Sequence, residues 1–179
     1  MQKTTNFKFN GDYEMCLENE SVKLIPLQQH HFDSLYAVAS DPLIWEQHPN
    51  PNRYKLADFT NFFNGAIASD NAFLIVEKAT NEVMGCTRFY DFDPEKKSVY
   101  IGYTFLGINF WGKGFNQQVK KLLMDYAFKT VDAVLFHIGS LNIRSQIAIA
   151  RTGGIKIGEQ LVEYFGEAPK MNFVYEVLK

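Results

Sequence analysis

The chain is short of cysteine, of long apolar runs and of net charge, and each shortage removes a class of protein. Only two cysteines, Cys16 and Cys86, occur in 179 residues. They are too few and too scattered for a disulfide framework or a zinc site, so reduced thiols and a cytoplasmic protein are expected. No His/Cys/Asp/Glu cluster has metal-ligand spacing, so no metal is expected. His30 and His31 are adjacent and point apart on a helix, and His137 in a strand reads as structural. No apolar run approaches the ~18–20 residues of a membrane span. The opening MQKTTNFKF lacks the apolar core of a secretion signal. A formal net charge of −2 gives no broad field for nucleic acid or anionic membrane, so neither is an expected partner. Internal repeats, low-complexity tracts and linkers are also missing.

What remains is an ordinary globular composition, 46% hydrophobic and 21% charged, at a length that suits one domain with a full core. Residues 1–179 are read as that domain, with 1–20 as an N-terminal extension carrying a short strand. Aromatics are plentiful, with 16 Phe and 9 Tyr, enough for a core, an acceptor pocket or a homodimer interface.

Strands are expected at Tyr13–Leu17 and Ser21–Leu27, around the polar turn Glu18-Asn19-Glu20. Phe32, Leu35, Tyr36 and Ala39 give the face of a first helix, which Asp41-Pro42 stops. A second helix carries Leu56, Phe59, Phe62, Phe63 and Ile67. Strands follow at 72–77, 83–90 and 98–105. A long helix starts at Phe115, and then come a strand at 133–139 and a helix at 143–151. Two last strands lie near 156–165 and 171–178. The order is mixed α/β.

The most informative stretch is SVYIGYTFLGINFWGKGFNQQVKKLLMDYAF, residues 98–128. It reads as a strand, a glycine-punctuated loop and an amphipathic helix with its stripe at Val119, Leu122, Leu123, Tyr126 and Ala127. Free N–H groups and the positive end of the dipole at such a helix start suit an anion such as phosphate. Three phosphate-binding patterns compete. A dinucleotide fingerprint needs a third glycine where Gln117 stands. Gly107 to Lys113 satisfies G-x-x-x-x-G-K, but Gly114 replaces the hydroxyl that would bind magnesium in a nucleotide P-loop.

The third pattern fits better. The strand IGYTF, the loop Asn109-Phe110-Trp111-Gly112-Lys113-Gly114 and the helix behind them resemble the acetyl-CoA core of the GNAT acyltransferases, in particular the branch of the ribosomal-protein N-terminal acetyltransferases. Asn109 stands where that loop usually has Gln or Arg. A second segment agrees: in LNIRSQIAIARTGG, residues 141–154, Asn142 caps a helix that Gly153-Gly154 ends. It is similar to the family's N-x-x-S helix beside the pantetheine arm. A plain capped surface helix is the alternative.

The resemblance implies a splayed mixed sheet flanked by helices, acetyl-CoA as co-substrate and a primary amine as acceptor, either a protein N-terminus or a small amine. It places CoA against Tyr103, Thr104, Phe105, Asn109, Trp111, Gly112, Lys113, Gly114, Phe115, Asn116, Asn142 and Ser145. Lys120 and Lys121 read as the solvated face of the helix, whereas Lys113 lies in the loop. Backbone donors near Tyr103 to Phe105 are to polarise the thioester.

Ser145 is the family-aligned group for the departing thiolate, or else a small helix residue contacting CoA. The tyrosine of many relatives four residues later is Ile149 here, and the glutamate before I-G-Y is Tyr100. Glu46 and His48, between the first two helices, are the next candidates for a base. Asp91 is weaker, and a water chain without a dedicated base is a further alternative. Arg53 and Arg88 either grip an acidic acceptor or pair with surface carboxylates. Trp45 and Tyr54 are candidate acceptor-pocket walls, and Phe63 reads as core. A CoA-binding module without catalysis is the rival from another class.

Overall fold

A run of strands with apolar residues on both faces must be covered on both sides, and the chain supplies two helices for each. The computed structural model describes residues 16–179. Two short strands, β1 (Leu17–Glu18) and β2 (Val22–Pro26), lead to α1 (Phe32–Ala39) and α2 (Leu56–Ser69). Strands β3 (Ala72–Glu77), β4 (Val83–Asp93) and β5 (Ser98–Leu106) precede α3 (Phe115–Ala127). Then come β6 (Ala133–Gly139), α4 (Ile143–Ala150), β7 (Ile155–Val162) and β8 (Lys170–Leu178). The eight strands form one sheet in the order β1-β2-β3-β4-β5-β6-β8-β7.

Strand β3 shows the two-sided logic. Phe73 and Ile75 join Val119, Leu123 and Ile149 in the core under α3 and α4. Leu74 and Val76, pointing the other way, join Leu35, Phe59 and Phe63 under α1 and α2. Helix α2 ends where Asp70 turns left-handed, with φ 53°. Helix α4 starts at Asn142, whose side-chain oxygen accepts the Ser145 N–H at 3.2 Å.

The neighbours β5 and β6 are parallel, and they pair only at Ser98–Ala133, Val99–Val134 and Tyr100–Leu135. Beyond that, β6 stays with β8 as far as Gly139–Asn172, while β5 stays with β4 as far as Leu106–Gly85. The sheet therefore splits between them. On the β4 side the register slips between the Arg88–Gly102 and Cys86–Phe105 pairs. Two β5 residues, Tyr103 and Thr104, oppose one, Thr87, and Tyr103 takes φ 53°. This is a bulge, which bends the strand and re-aims its side chains.

Most expected elements are present with shifted ends. Strand β4 runs on to Asp93. Strand β7 stops at Val162 rather than 165, because the chain turns at Gly166 (φ 64°) and lays Phe165 over Gly65. Of the first expected strand Cys16 and Leu17 lie within the described residues, with only Leu17 in a strand, and Tyr13 to Met15 fall outside them. Leu123 has no exposed surface, so Leu123→Ala should cost about 2–5 kcal/mol. An unchanged urea midpoint would contradict that packing.

Candidate active site

The split between β5 and β6 holds a cleft of about 410 Å³ that reaches the start of α3. It continues inward as a chamber of about 90 Å³ between the diverging strands. His48, Thr104, Asn116, Asn142 and Ser145 line both.

The outer end is built for an anion. Gly112 and Gly114 adopt φ of 72° and 81°, and a β-carbon on either would meet nothing within 4 Å, so open space faces both. Helix α3 makes its first bond from the Gln118 N–H to the Gly114 carbonyl, at 3.2 Å. The N–H groups of Phe115, Asn116 and Gln117 therefore have no acceptor within the helix. Two cations face this end from α4, where Arg144 and Arg151 line the cleft seven residues apart on one face. The Arg144 guanidinium lies 4.2 Å from the Trp111 ring centre and donates to the carbonyls of Leu43 and Ile44. Trp111 is held in turn by its indole N–H, which donates to the Leu106 carbonyl at 2.8 Å.

Of the residues expected to hold CoA, Phe105, Trp111, Gly112, Gly114 and Phe115 line the cleft, Tyr103 lines the chamber, and Thr104, Asn116, Asn142 and Ser145 line both. Asn109 and Lys113 are exposed and line neither. Main-chain donors of α3 together with Arg144 and Arg151 make the outer end positive. The two arginines were not singled out in the sequence, although their spacing on a helix that follows an Asn cap is a readable signal.

Of the two base candidates, Glu46 is exposed and lines neither space. His48 borders both and is otherwise enclosed. The Asn50 N–H donates to its Nδ1 at 3.0 Å, and Arg53 Nη1 approaches Nε2 at 3.2 Å. Burial, and then the neighbouring Arg53 charge, push the imidazole well below its ordinary value. It resists the proton that a general base must take up. Asp91 is raised by burial, and its charge reaches Tyr100 and Tyr103, yet it lines neither space.

The chamber wall is aromatic and basic. Tyr90 donates to or accepts from His137 Nδ1 at 3.0 Å, and Tyr100 stacks on the same imidazole with ring centres 4.1 Å apart. Tyr100, where a carboxylate was the family pattern, thus belongs to an aromatic set at the apex of the split. Arg53 is 2% exposed and paired through Nε and Nη2 with Glu167 Oε1, at 3.1 and 2.8 Å. That ion pair is buried rather than superficial. Arg88 corrects the expectation of a surface carboxylate partner more fully. Its guanidinium donates to the Gly65 and Phe62 carbonyls and sits 3.8 Å from the Tyr103 ring centre. No aspartate or glutamate lines either the cleft or the chamber among the described residues.

Lys120 is a second correction. Lys121 is exposed and pairs with Asp125 at 2.6 Å, as a solvated face predicts. Lys120 is only 8% exposed and lines the chamber. It occupies the flank of the α3 stripe that the strand split leaves open. Burial lowers its ammonium to about 8.

The fold that carries this geometry is shared with known proteins. A protein-family model described as an acetyltransferase (GNAT) domain matches residues 21–155. The chain belongs to the GNAT acetyltransferase family. An uncharacterized N-acetyltransferase, p20, of Bacillus licheniformis is 42% identical over 62 residues, 35% of this chain and 34% of that protein. That match spans about a third of the relative's length. A GCN5-related N-acetyltransferase from Brucella melitensis superimposes with TM-score 0.75 at 23% identity, covering 92% of this chain and 78% of that one. The microcin C7 self-immunity acetyltransferase MccE, solved with acetyl-CoA and AMP, gives TM-score 0.69 at 22% identity, covering 90% and 94%. Both likenesses are likenesses of fold. Among the described residues no helix is long and apolar enough to cross a membrane, and no cluster of His, Cys, Asp and Glu could hold a metal ion.

Two measurements follow. Since open space faces Gly114, a neutral side chain that tolerates a left-handed turn should fit there, whereas a carboxylate opposes the anion. Gly114→Asn should weaken CoA binding less than about tenfold and Gly114→Asp about a hundredfold by calorimetry. Equal losses would place the anion elsewhere. The second concerns Lys120, whose folded value lies below its unfolded one. The unfolded chain therefore binds more protons between about 8 and 10.5, and stability contributed by this group rises with pH across that window. Lys120→Met should stabilise the protein at neutral pH by an amount on the order of 3 kcal/mol. The gain should shrink as pH approaches 10.5, read as the difference in urea midpoint between the variant and wild type.

Proposed function

We propose that this protein transfers the acetyl group of acetyl-CoA to a primary α-amine, on a peptide or a small molecule, with both substrates bound together. The single observation that carries this reading is the sheet split, which joins an anion cradle at one end to a closed chamber at the other. Bound acetyl-CoA would supply the activated acyl group. The N–H groups at the start of α3, with Arg144 and Arg151, hold its phosphates. Unpaired β5 backbone beside the Tyr103 bulge, opposite Asn142 and Ser145, takes the arm where a further strand would lie.

The charge around the chamber selects the acceptor class. Arg53 and Lys120 line it and no carboxylate does, so a polycationic amine such as spermidine meets repulsion. An α-amine titrates near 8 and a lysine amine near 10.4, so at neutral pH the neutral fraction of the former is larger by roughly two orders of magnitude. With His48 held against accepting a proton and Glu46 outside the chamber, the amine is deprotonated by water. Ser145 contacts the thioester end of the arm.

An amine screen with acetyl-CoA, read by thiol release, should rank peptides with free α-amines at least about tenfold above spermidine in kcat/KM. The rate for an α-amine should rise with pH up to the acceptor's own value of about 8. A preference for spermidine would sink the acceptor assignment. CoA binding without thiol release from any amine would leave a CoA-binding module of the same fold.

A further inference from the structure

Lys120 is a buried cation without a polar partner. Among the described residues its ammonium makes no hydrogen bond or ion pair, and its one recorded contact is the Phe136 ring, whose centre lies 5.4 Å from Nζ. A charge that is 8% exposed and unpaired within the protein is costly, and structures retain one where something else gains from it. The other titratable groups around the chamber are His48, Arg53, Tyr90, Tyr103, His137 and Tyr164. Arg53 is spent on Glu167 and faces His48, Tyr90 is joined to His137, and Tyr164 donates to Asn172. Tyr103 lies under Arg88, and burial raises its hydroxyl, so it is a poorer acid than a free phenol. Asp91, on the continuation of β4, acts on these tyrosines through space without lining the chamber. Only Lys120 combines a charge, a free set of donors and a place in the chamber that Ser145 and Ile149 also line.

We propose that Lys120 is a catalytic residue, the proton donor and counter-charge for the CoA sulfur when the thioester is cleaved. The inference rests on the acetyl-transfer reading above. In the step, the acceptor nitrogen bonds to the thioester carbonyl carbon, the carbon–sulfur bond breaks, and its electron pair goes to sulfur. The Lys120 ammonium gives a proton to that sulfur, so CoA leaves as the thiol. The proton lost by the acceptor nitrogen reaches solvent, from which Lys120 is recharged. A buried ammonium near 8 and a thiol near 8.5 are matched closely enough for transfer in either direction. Ile149 occupies the position where many relatives offer a tyrosine acid, and it faces the same chamber as Lys120. The acid has moved from α4 to α3.

The test reads binding rather than turnover. Wild type and Lys120→Met are saturated with CoA, its affinity for each is measured by calorimetry, and the bound thiol is titrated by its thiolate absorbance. Removing a buried charge leaves the methionine variant able to fold. The expected result is comparable CoA affinity in both proteins, with the bound thiol in wild type ionising at least about one pH unit lower than in the variant, a tenfold difference in acidity. Coincident thiol titrations in two proteins that both bind CoA overturn the role of Lys120 while leaving acetyl transfer standing. Absence of CoA binding to wild type overturns both. In turnover, the variant should lose kcat by about a hundredfold with little change in KM for acetyl-CoA.

Discussion

Everything in the site depends on how few hydrogen bonds join β5 to β6. Three residue pairs hold the parallel strands together, and then each follows its outer neighbour, β5 with β4 and β6 with β8. Backbone polar groups that lose a ladder partner in the interior must find another. The split therefore creates a length of β5 that is an incomplete sheet edge, facing a cleft instead of solvent. An extended ligand with amide groups, such as the pantetheine arm of the proposed co-substrate, can satisfy it. The Tyr103 bulge reinforces this by turning one stretch of β5 away from its ladder with β4 at the depth where the chamber begins.

The same split explains why cations collect here. Helix α3 closes one face of the opening, and its N-terminus points at the outer mouth, where Gly112 and Gly114 keep the backbone bare. The second turn of α3 brings Lys120 to the inner chamber, and α4 brings Arg144 and Arg151 to the mouth. The loop after α1 closes the other side, with Pro49 packed against Gly139 so tightly that any side chain there would collide with it. That loop also delivers Arg53 and His48. A single break in strand pairing is thus surrounded by groups from four separate parts of the chain.

How much of this was readable beforehand follows from which contacts are local. The glycine loop, the α3 stripe and the Asn142 cap are local patterns, because turn conformation, helix period and capping act over a few residues. Their positions emerged essentially as read. The ion pair of Arg53 with Glu167 joins residues 114 apart, so no spacing rule announces it. Burial of Lys120 was hidden for a different reason. It is one residue from Val119 on the edge of the apolar stripe, and a lysine there ordinarily snorkels to water. It stays inside because the strand split leaves a chamber beside it.

Tyr100 illustrates how a departure from a family pattern acquires a physical meaning. A carboxylate at that position would sit next to His137 and Tyr90, and a buried anion there would draw a proton from the acceptor. The tyrosine stacks on His137 instead, and burial followed by the Asp91 charge raises its phenol above the ordinary value, so it stays neutral. The apex of the split is then an uncharged aromatic floor, and the cations that line the chamber near it are Arg53 and Lys120. Such a floor gives no help in deprotonating an amine and no attraction to a polycation. Under the proposed acetyl transfer, both consequences favour amines that are weakly basic before they arrive.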